Sequence, residues 1–137
     1  MIVRNCAGGI VFNGDRVLLL LNDKRDWAFP KGVVRPGEDI MKVAVSRIKI
    51  ETGLEASIVA PCGKTHYEFY SVTRRKPVHN NISWFVMKTE DESVNVDKAE
   101  GFIEARFFGI EEALETITYS QDKSLLMVAY QRYKELG

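Results

Sequence analysis

The segment 32–54 constrains this 137-residue chain more than any other stretch, because it specifies a helix with a signal at each end. Glu38 and Asp39 stand at the expected N-terminal end, where negative charge suits the helix dipole. Gly53 stands where a terminating glycine belongs. Three apolar residues at i+4 spacing predict one buried face: Ile40, Ala44 and Ile48. The pattern predicts a helix of about 14 residues.

Strand-like stretches lie on both sides of this helix. Residues 7–12 and 16–21 are joined by the turn signal Asn-Gly-Asp, and the second stretch is apolar on both faces, as a central strand is. Further strands are predicted at 55–60, 64–72, 81–88 and 105–109, and further helices at Ile110–Thr116 and Ser120–Leu136. This order predicts an α/β fold in which helices cover a mixed sheet, an α/β/α sandwich.

Composition narrows the class of protein. One domain over 1–137 is expected from the length. Lys plus Arg and Asp plus Glu both number 19, so the formal net charge is zero and binding to nucleic acid by general electrostatics is disfavoured. Cys6 and Cys62 are too few for a disulfide scaffold, and two free buried thiols are expected. No stretch is long enough to span a bilayer and no signal peptide is visible, which favours a soluble cytoplasmic protein.

The spacing of Gly32, Glu38, Glu51 and Gly53 resembles the box of the Nudix (MutT-like) hydrolases. That pattern is Gly, five residues, Glu, seven residues, then Arg-Glu-aliphatic-x-Glu-Glu-x-Gly-aliphatic. The lead-in 27–32 is similar to the diadenosine-polyphosphate branch, and 101–114 resembles the strand-to-helix stretch that follows in the family. The resemblance covers nearly the whole chain. It implies one Nudix-fold domain over 1–137, with its box at 32–54.

The resemblance also implies a metal-dependent chemistry. In the family, glutamates on one helix face hold Mg²⁺ or Mn²⁺, which neutralises phosphate charge and activates water against a phosphoanhydride. Here Ser46 stands at the box arginine, and Arg47 and Ile50 replace two glutamates of the trio. By the resemblance, the catalytic carboxylates left are Glu51 and Glu38, and the metal ligands left are Glu51, Glu38 and Gly32.

Arg47 changes the sign of the charge beside the expected cation site, so a site of the family type should be weakened. Two interpretations of Arg47 stay open. It forms an i,i+4 ion pair with Glu51 on the helix surface, or it replaces the metal as a partner of phosphate.

Several other side chains are candidates for ligand binding. Lys31, Arg4 and Lys76 are expected to attract phosphate, and Tyr67 and Phe85 are candidates for stacking on a purine. Five carboxylates in or after the acidic loop could replace a lost glutamate: Asp91, Glu92, Asp97, Glu100 and Glu104.

Three functions stay open. The first is a Nudix hydrolase that cleaves a phosphoanhydride of a dinucleoside polyphosphate or related nucleotide, with Mg²⁺ or Mn²⁺ if active. The second is a module that binds a nucleotide or phosphorylated metabolite without turnover and needs no cofactor. The third is a structural or partner-binding domain, which an exposed Ile50 would suit. A loop or a second subunit would cover that side chain, so a homodimer stays open as well.

Overall fold

In a computed structural model, residues 1–136 form seven strands, three α-helices and one 3₁₀ turn. The strands are β1 (Ile2–Asn13), β2 (Arg16–Asn22), β3 (Trp27–Ala28), β4 (Lys31–Val33), β5 (Ser57–Ser71), β6 (Lys76–Lys88) and β7 (Phe102–Gly109). The helices are α1 (Ile40–Thr52), α2 (Ile110–Thr116) and α3 (Ser120–Leu136), and the 3₁₀ turn is Lys98–Glu100.

The strands join in one mixed sheet of order β3-β2-β1-β6-β5, in which β4 adds to β1 and β7 adds to β2. β1 runs parallel to β6 along most of its length, and the pairs β1–β4, β2–β7 and β5–β6 are antiparallel. β1 pairs with β2 only at Phe12↔Val17 and Asn13↔Arg16. The two halves of the sheet therefore separate on the N-terminal side of Phe12 in β1. In the opening between them, β4 pairs with β1 at Cys6–Gly8.

Helices cover both faces of the sheet, which confirms the expected α/β/α layering. On one face, here called the α3 face, β1 and β6 pack against α2 and α3 through Ile10, Phe12, Trp84, Ala113 and Leu126. On the opposite α1 face, the same strands pack against α1 through Ala7, Val11, Phe85, Ala44 and Ile48. Alternation along each strand produces this division.

The local predictions hold with the following differences. β6 begins at Lys76 and β7 at Phe102, earlier than the expected residues 81 and 105. β5 is one strand, although 55–60 and 64–72 were expected as two, because the chain passes Pro61 and Gly63 through shifts of register without leaving β6. β1 begins at Ile2, and the short strands β3 and β4 were not predicted. Ile40 was expected on the buried face of the helix, but it is the first helical residue and is exposed.

Cys6 and Cys62 are free and buried, as expected. Within residues 1–136, no helix combines the length and the apolar character needed to cross a bilayer.

Candidate functional site

Helix α1 positions the candidate site, and local sequence fixes both of its ends. Asp39 is the N-cap, and its carboxylate accepts hydrogen bonds from the N–H groups of Met41 at 2.8 Å and Lys42 at 3.3 Å. Gly53 ends the helix at φ 77°, a left-handed conformation that favours glycine, and its N–H donates to the Lys49 carbonyl at 2.8 Å. The helix therefore presents a fixed set of side chains away from the sheet.

Arg47 and Glu51 form an ion pair at the centre of the site. Arg47 Nη2 donates to Glu51 Oε1 at 2.7 Å, and the Glu51 side chain is only 1% exposed. The expected i,i+4 pair is therefore present, but it is partly buried rather than a surface pair. The alternative role of Arg47 toward phosphate is compatible with this contact, because 25% of its side chain stays exposed.

Gly32 makes room for the Arg47 side chain. A Cβ added at Gly32 would overlap both Cγ and Cδ of Arg47. The aliphatic part of Arg47 thus lies directly against strand β4, where any residue larger than glycine would displace it. This close contact brings the guanidinium over the segment that the sequence proposed as a metal site.

Burial raises the pKa of Glu51 to about 7, although the hydrogen bond and charge of Arg47 act to lower it. Within residues 1–136, Glu51 Oε2 and Arg47 Nε are buried without a hydrogen-bond partner. The carboxylate therefore has one oxygen held by Arg47 and one that a proton can satisfy near neutral pH.

Glu100, at the end of the 3₁₀ turn, also contacts Arg47. Its Oε2 accepts from Arg47 Nη2 at 3.2 Å. Backbone hydrogen bonds join the same loop to the end of α1, from Asn95 N–H to the Thr52 carbonyl at 3.0 Å and from Asp97 N–H to the Glu51 carbonyl at 3.1 Å. The loop between β6 and β7 thus lies against the C-terminal half of α1.

An open cleft of about 690 Å³ runs along the outer side of α1 and strand β4; we call it the basic cleft. Four cationic side chains line it: Lys31, Arg35, Lys42 and Arg47. Its two carboxylates are Glu38 and Asp39, and both accept backbone N–H groups, Glu38 from Arg35 at 2.7 Å. The cleft therefore favours an anionic ligand.

The α3 face carries the predicted residues Arg4, Tyr67 and Lys76, together with Phe69, which was not predicted as a binding residue. Lys31 Nζ lies 5.8 Å from the centre of the Tyr67 ring, and Arg4 Cζ lies 5.5 Å from that of Phe69. The Tyr67 and Phe69 rings stack with centres 6.1 Å apart. Register and alternation place Lys76 on the same face, although it does not line the cleft. Lys31 belongs to both sets and links the cleft to these rings.

Phe85 does not take the predicted place. It is only 6% exposed and packs in the core of the α1 face with Ala44 and Ile48. Helices cover both faces of β6 at this position, and the alternation of side chains along the strand places Phe85 beneath α1. The ring is not accessible for stacking on a ligand.

The residues present do not fit the divalent metal that the resemblance implies. Glu51 is closed off by Arg47, the carboxylate of Glu38 is engaged by a backbone N–H, and Arg47 lies on Gly32. Ile50 offers no ligand atom and is exposed on the helix surface. Among residues 1–136, no group of three or more His, Cys, Asp or Glu side chains could hold a metal ion.

Sequence reasoning missed the contributions of Arg35, Lys42 and the contact of Glu100. The sequence indicates for Glu100 only the replacement of a lost catalytic carboxylate. The sequence signal for this contact was Arg47 itself, because an arginine that becomes partly buried needs a carboxylate partner. The distance of 53 residues between Arg47 and Glu100 hides that partner from the sequence.

Comparison with known proteins places the chain in a family. The model of the NUDIX domain matches residues 3–128, so the chain belongs to the Nudix family. It is 29% identical over 105 residues to the bis(5'-nucleosyl)-tetraphosphatase [asymmetrical] of Mus musculus, covering 77% of this chain and 70% of that protein. It is 28% identical over 134 residues to the putative mutator protein MutT4 of Mycobacterium tuberculosis, covering 90% and 53%.

Solved structures confirm the fold. The crystal structure of a C. elegans Ap4A hydrolase binary complex matches with a TM-score of 0.71 at 21% identity, covering 96% of this chain and 98% of that one. The E. coli dihydroneopterin triphosphate pyrophosphohydrolase matches with a TM-score of 0.74 at 15% identity, covering 92% and 95%. The α/β Nudix fold expected from the sequence is therefore confirmed.

Proposed function

We propose that this chain binds a nucleoside oligophosphate and that Arg47, rather than a divalent cation, supplies the positive charge beside Glu51. The observation that carries the proposal is the 2.7 Å contact between Arg47 and the buried Glu51, at the edge of a cleft lined by three further cations. The chain therefore has its own fixed cation where the family resemblance expects a metal.

The phosphate chain would lie in the basic cleft. Arg47, Lys31, Arg35 and Lys42 line it, and charge-assisted hydrogen bonds from such groups are about twice as strong as neutral ones. Glu38 and Asp39 oppose the ligand less than free carboxylates would, because backbone N–H groups already share their charge.

The nucleoside would lie on the α3 face beside Lys31. Tyr67 is 38% exposed and Phe69 is 41% exposed, so both rings are accessible to a base, with Arg4 and Lys31 above them. Lys76 lies further along the same face and would meet a second phosphate group or nucleoside. A ligand that spans both regions would place its phosphate chain in the basic cleft and its nucleoside on the α3 face.

This arrangement supports binding without turnover. Hydrolysis of a phosphoanhydride needs an activated water and stabilisation of the charge on the leaving phosphate. The donor set does not fit a metal, and the carboxylate of Glu51 is held by Arg47. We therefore propose a role as a nucleotide-dependent regulator that binds its ligand without cleaving it.

A second candidate is metal-dependent hydrolysis of a dinucleoside polyphosphate. The similarity to the mouse bis(5'-nucleosyl)-tetraphosphatase favours it. Glu51 and Glu38 would then hold Mg²⁺ or Mn²⁺ with the Gly32 backbone, after Arg47 moved away from Glu51.

The test is isothermal titration of diadenosine tetraphosphate into the protein, once with EDTA and once with Mg²⁺, with turnover followed by chromatography. We expect binding in EDTA, no turnover, and affinity weakened about tenfold or more in Arg47→Gln, because a hydrogen bond to a charged group is worth roughly 1.5–3 kcal/mol. Arg74→Gln is the matched control, since it removes one exposed arginine from the β5–β6 turn outside the cleft.

Two outcomes would overturn the proposal. Turnover that requires Mg²⁺ and is abolished by Glu51→Gln would establish the hydrolase. Absence of binding under both conditions would move the function to a protein partner.

A further inference from the structure

Arg47 is shared unequally between two carboxylates. Its Nη2 lies 2.7 Å from Glu51 Oε1 and 3.2 Å from Glu100 Oε2. The Glu51 side chain is 1% exposed, whereas 38% of the Glu100 side chain is exposed. The contact with Glu51 is thus fixed in the interior, and the contact with Glu100 is longer and open to solvent.

Glu100 also shares a cleft with Lys31, the cation that links the basic cleft to the aromatic rings of the α3 face. Together with Asp23, Phe29 and Lys31 it lines a second, smaller cleft of about 220 Å³ between β2 and β4. Lys31 lines both clefts. The Glu100 carboxylate is therefore placed where an anionic group bound to Arg47 and Lys31 would meet a like charge.

We infer that Glu100 is an intramolecular competitor of the phosphate ligand, which occupies Arg47 in the free protein and leaves it when a phosphate group binds. This inference rests on the proposed function and names the residue that limits its affinity. Glu100 is partly exposed and lines the smaller cleft rather than the basic cleft, so it competes through the Nη2 atom of Arg47 that it contacts.

The surrounding loop confines the change to a short segment. Asn95 and Asp97 donate their N–H groups to carbonyls at the end of α1 and keep the loop attached. Beyond them, the 3₁₀ turn is closed by Glu100 N–H to the Asp97 carbonyl and Gly101 N–H to the Lys98 carbonyl, both at 3.1 Å. If the backbone follows the Glu100 side chain when it is displaced, we expect this turn to loosen and the attachment to α1 to stay in place.

The experiment uses inorganic tripolyphosphate as the probe, in EDTA, measured by isothermal titration. We expect Glu100→Gln to bind about fivefold more tightly than the wild type, because a carboxylate beside the bound phosphate is neutralised while the side-chain shape is kept. Glu92→Gln is the matched control, since it removes one exposed carboxylate from the same loop outside both clefts, and its affinity should change less than about twofold.

The variant Arg47→Gln tests whether the effect acts through Arg47. In that background, Glu100→Gln should gain less than about twofold, because the group for which the carboxylate competes is absent. Hydrogen exchange supplies a second measurement, in which tripolyphosphate should speed exchange of the Glu100 and Gly101 amides and leave those of Asn95 and Asp97 unchanged.

The outcomes separate this inference from the proposed function. If the wild type binds tripolyphosphate and Glu100→Gln binds equally or more weakly, the competitor role is wrong and the proposed function stands. An equal gain in the Arg47→Gln background would also contradict it. If neither the wild type nor Glu100→Gln binds, both proposals fail.

Discussion

The two sides of helix α1 differ in what they keep of the family pattern. The side toward the sheet buries Ala44 and Ile48 completely, and Asp39 and Gly53 cap the two ends of the helix. The side toward the cleft carries Arg47 and Ile50 where the pattern has glutamates. The first side specifies packing and the second specifies chemistry, so a chain can retain the fold while it changes the charge of the site.

The difference shows how many contacts on the side toward the cleft involve one residue, Arg47. Arg47 engages the remaining glutamate, lies against Gly32 and reaches a carboxylate from another loop. Arg47 thus engages Glu51 and lies against Gly32, two of the three residues expected to hold a metal. The third, Glu38, accepts the Arg35 N–H.

The largest effect should come from the side toward the sheet. Ile48→Ala should lower the free energy of unfolding by about 2–5 kcal/mol, because Ile48 is fully buried between α1 and the sheet. Ile50→Ala, two residues away on the exposed side, should change it by no more than about 0.5 kcal/mol. Denaturant unfolding measures both, and equal costs would contradict the division of the helix into two sides.

The next effect is a dependence of stability on pH that originates in Glu51. Its pKa rises from a usual value of 4.5 to about 7 in the folded protein, because burial disfavours the charged form. The folded state therefore holds a proton that the unfolded state releases between these pH values. This contribution to stability is complete below about pH 4.5 and is lost as the pH rises through about 7, a loss on the order of 3 kcal/mol.

Glu51→Gln isolates that dependence. The difference between its free energy of unfolding and that of the wild type should grow in favour of the variant from pH 4.5 to pH 7.5. A constant difference over this range would show that Glu51 does not titrate there.

A smaller loss is expected when Arg47 is removed. Arg47→Met leaves the buried Glu51 without its partner and should cost about 2 kcal/mol at pH 8, where the carboxylate is ionised. At pH 5 the cost should fall, because Glu51 then carries a proton. Adding Glu51→Gln to Arg47→Met should recover most of the loss at pH 8, and a failure to recover it would place the cost elsewhere.

The smallest effect tests the contact between the two chain segments of the site. Gly32→Ala places a Cβ against Arg47 Cγ and Cδ, so the flexible Arg47 side chain must shift, at a cost of about 1 kcal/mol. In an Arg47→Ala background the same change should cost measurably less, since the stem is gone. Additive costs in denaturant unfolding would mean that the contact does not carry the effect.

The sequence predicted what depends on neighbours along the chain. The caps of α1, the two C-terminal helices and the central strand β2 follow from local signals, and the structure has them. The expected division of 55–72 into two strands is overridden by continuous pairing with β6. Phe85 was wrongly expected to contact the ligand, because the burial of both faces of its strand depends on tertiary packing. The Arg47–Glu100 contact depends on how a distant loop folds back, which no spacing rule reveals.

The central claim is that the guanidinium of Arg47, not a divalent metal, is the cation beside Glu51. Titration of the ligand-free protein with Mn²⁺ at pH 7.5, followed by electron paramagnetic resonance, tests it most directly. We expect no saturable Mn²⁺ site in the wild type and no difference between the wild type and Glu51→Gln. A stoichiometric Mn²⁺ site that Glu51→Gln abolishes would contradict it.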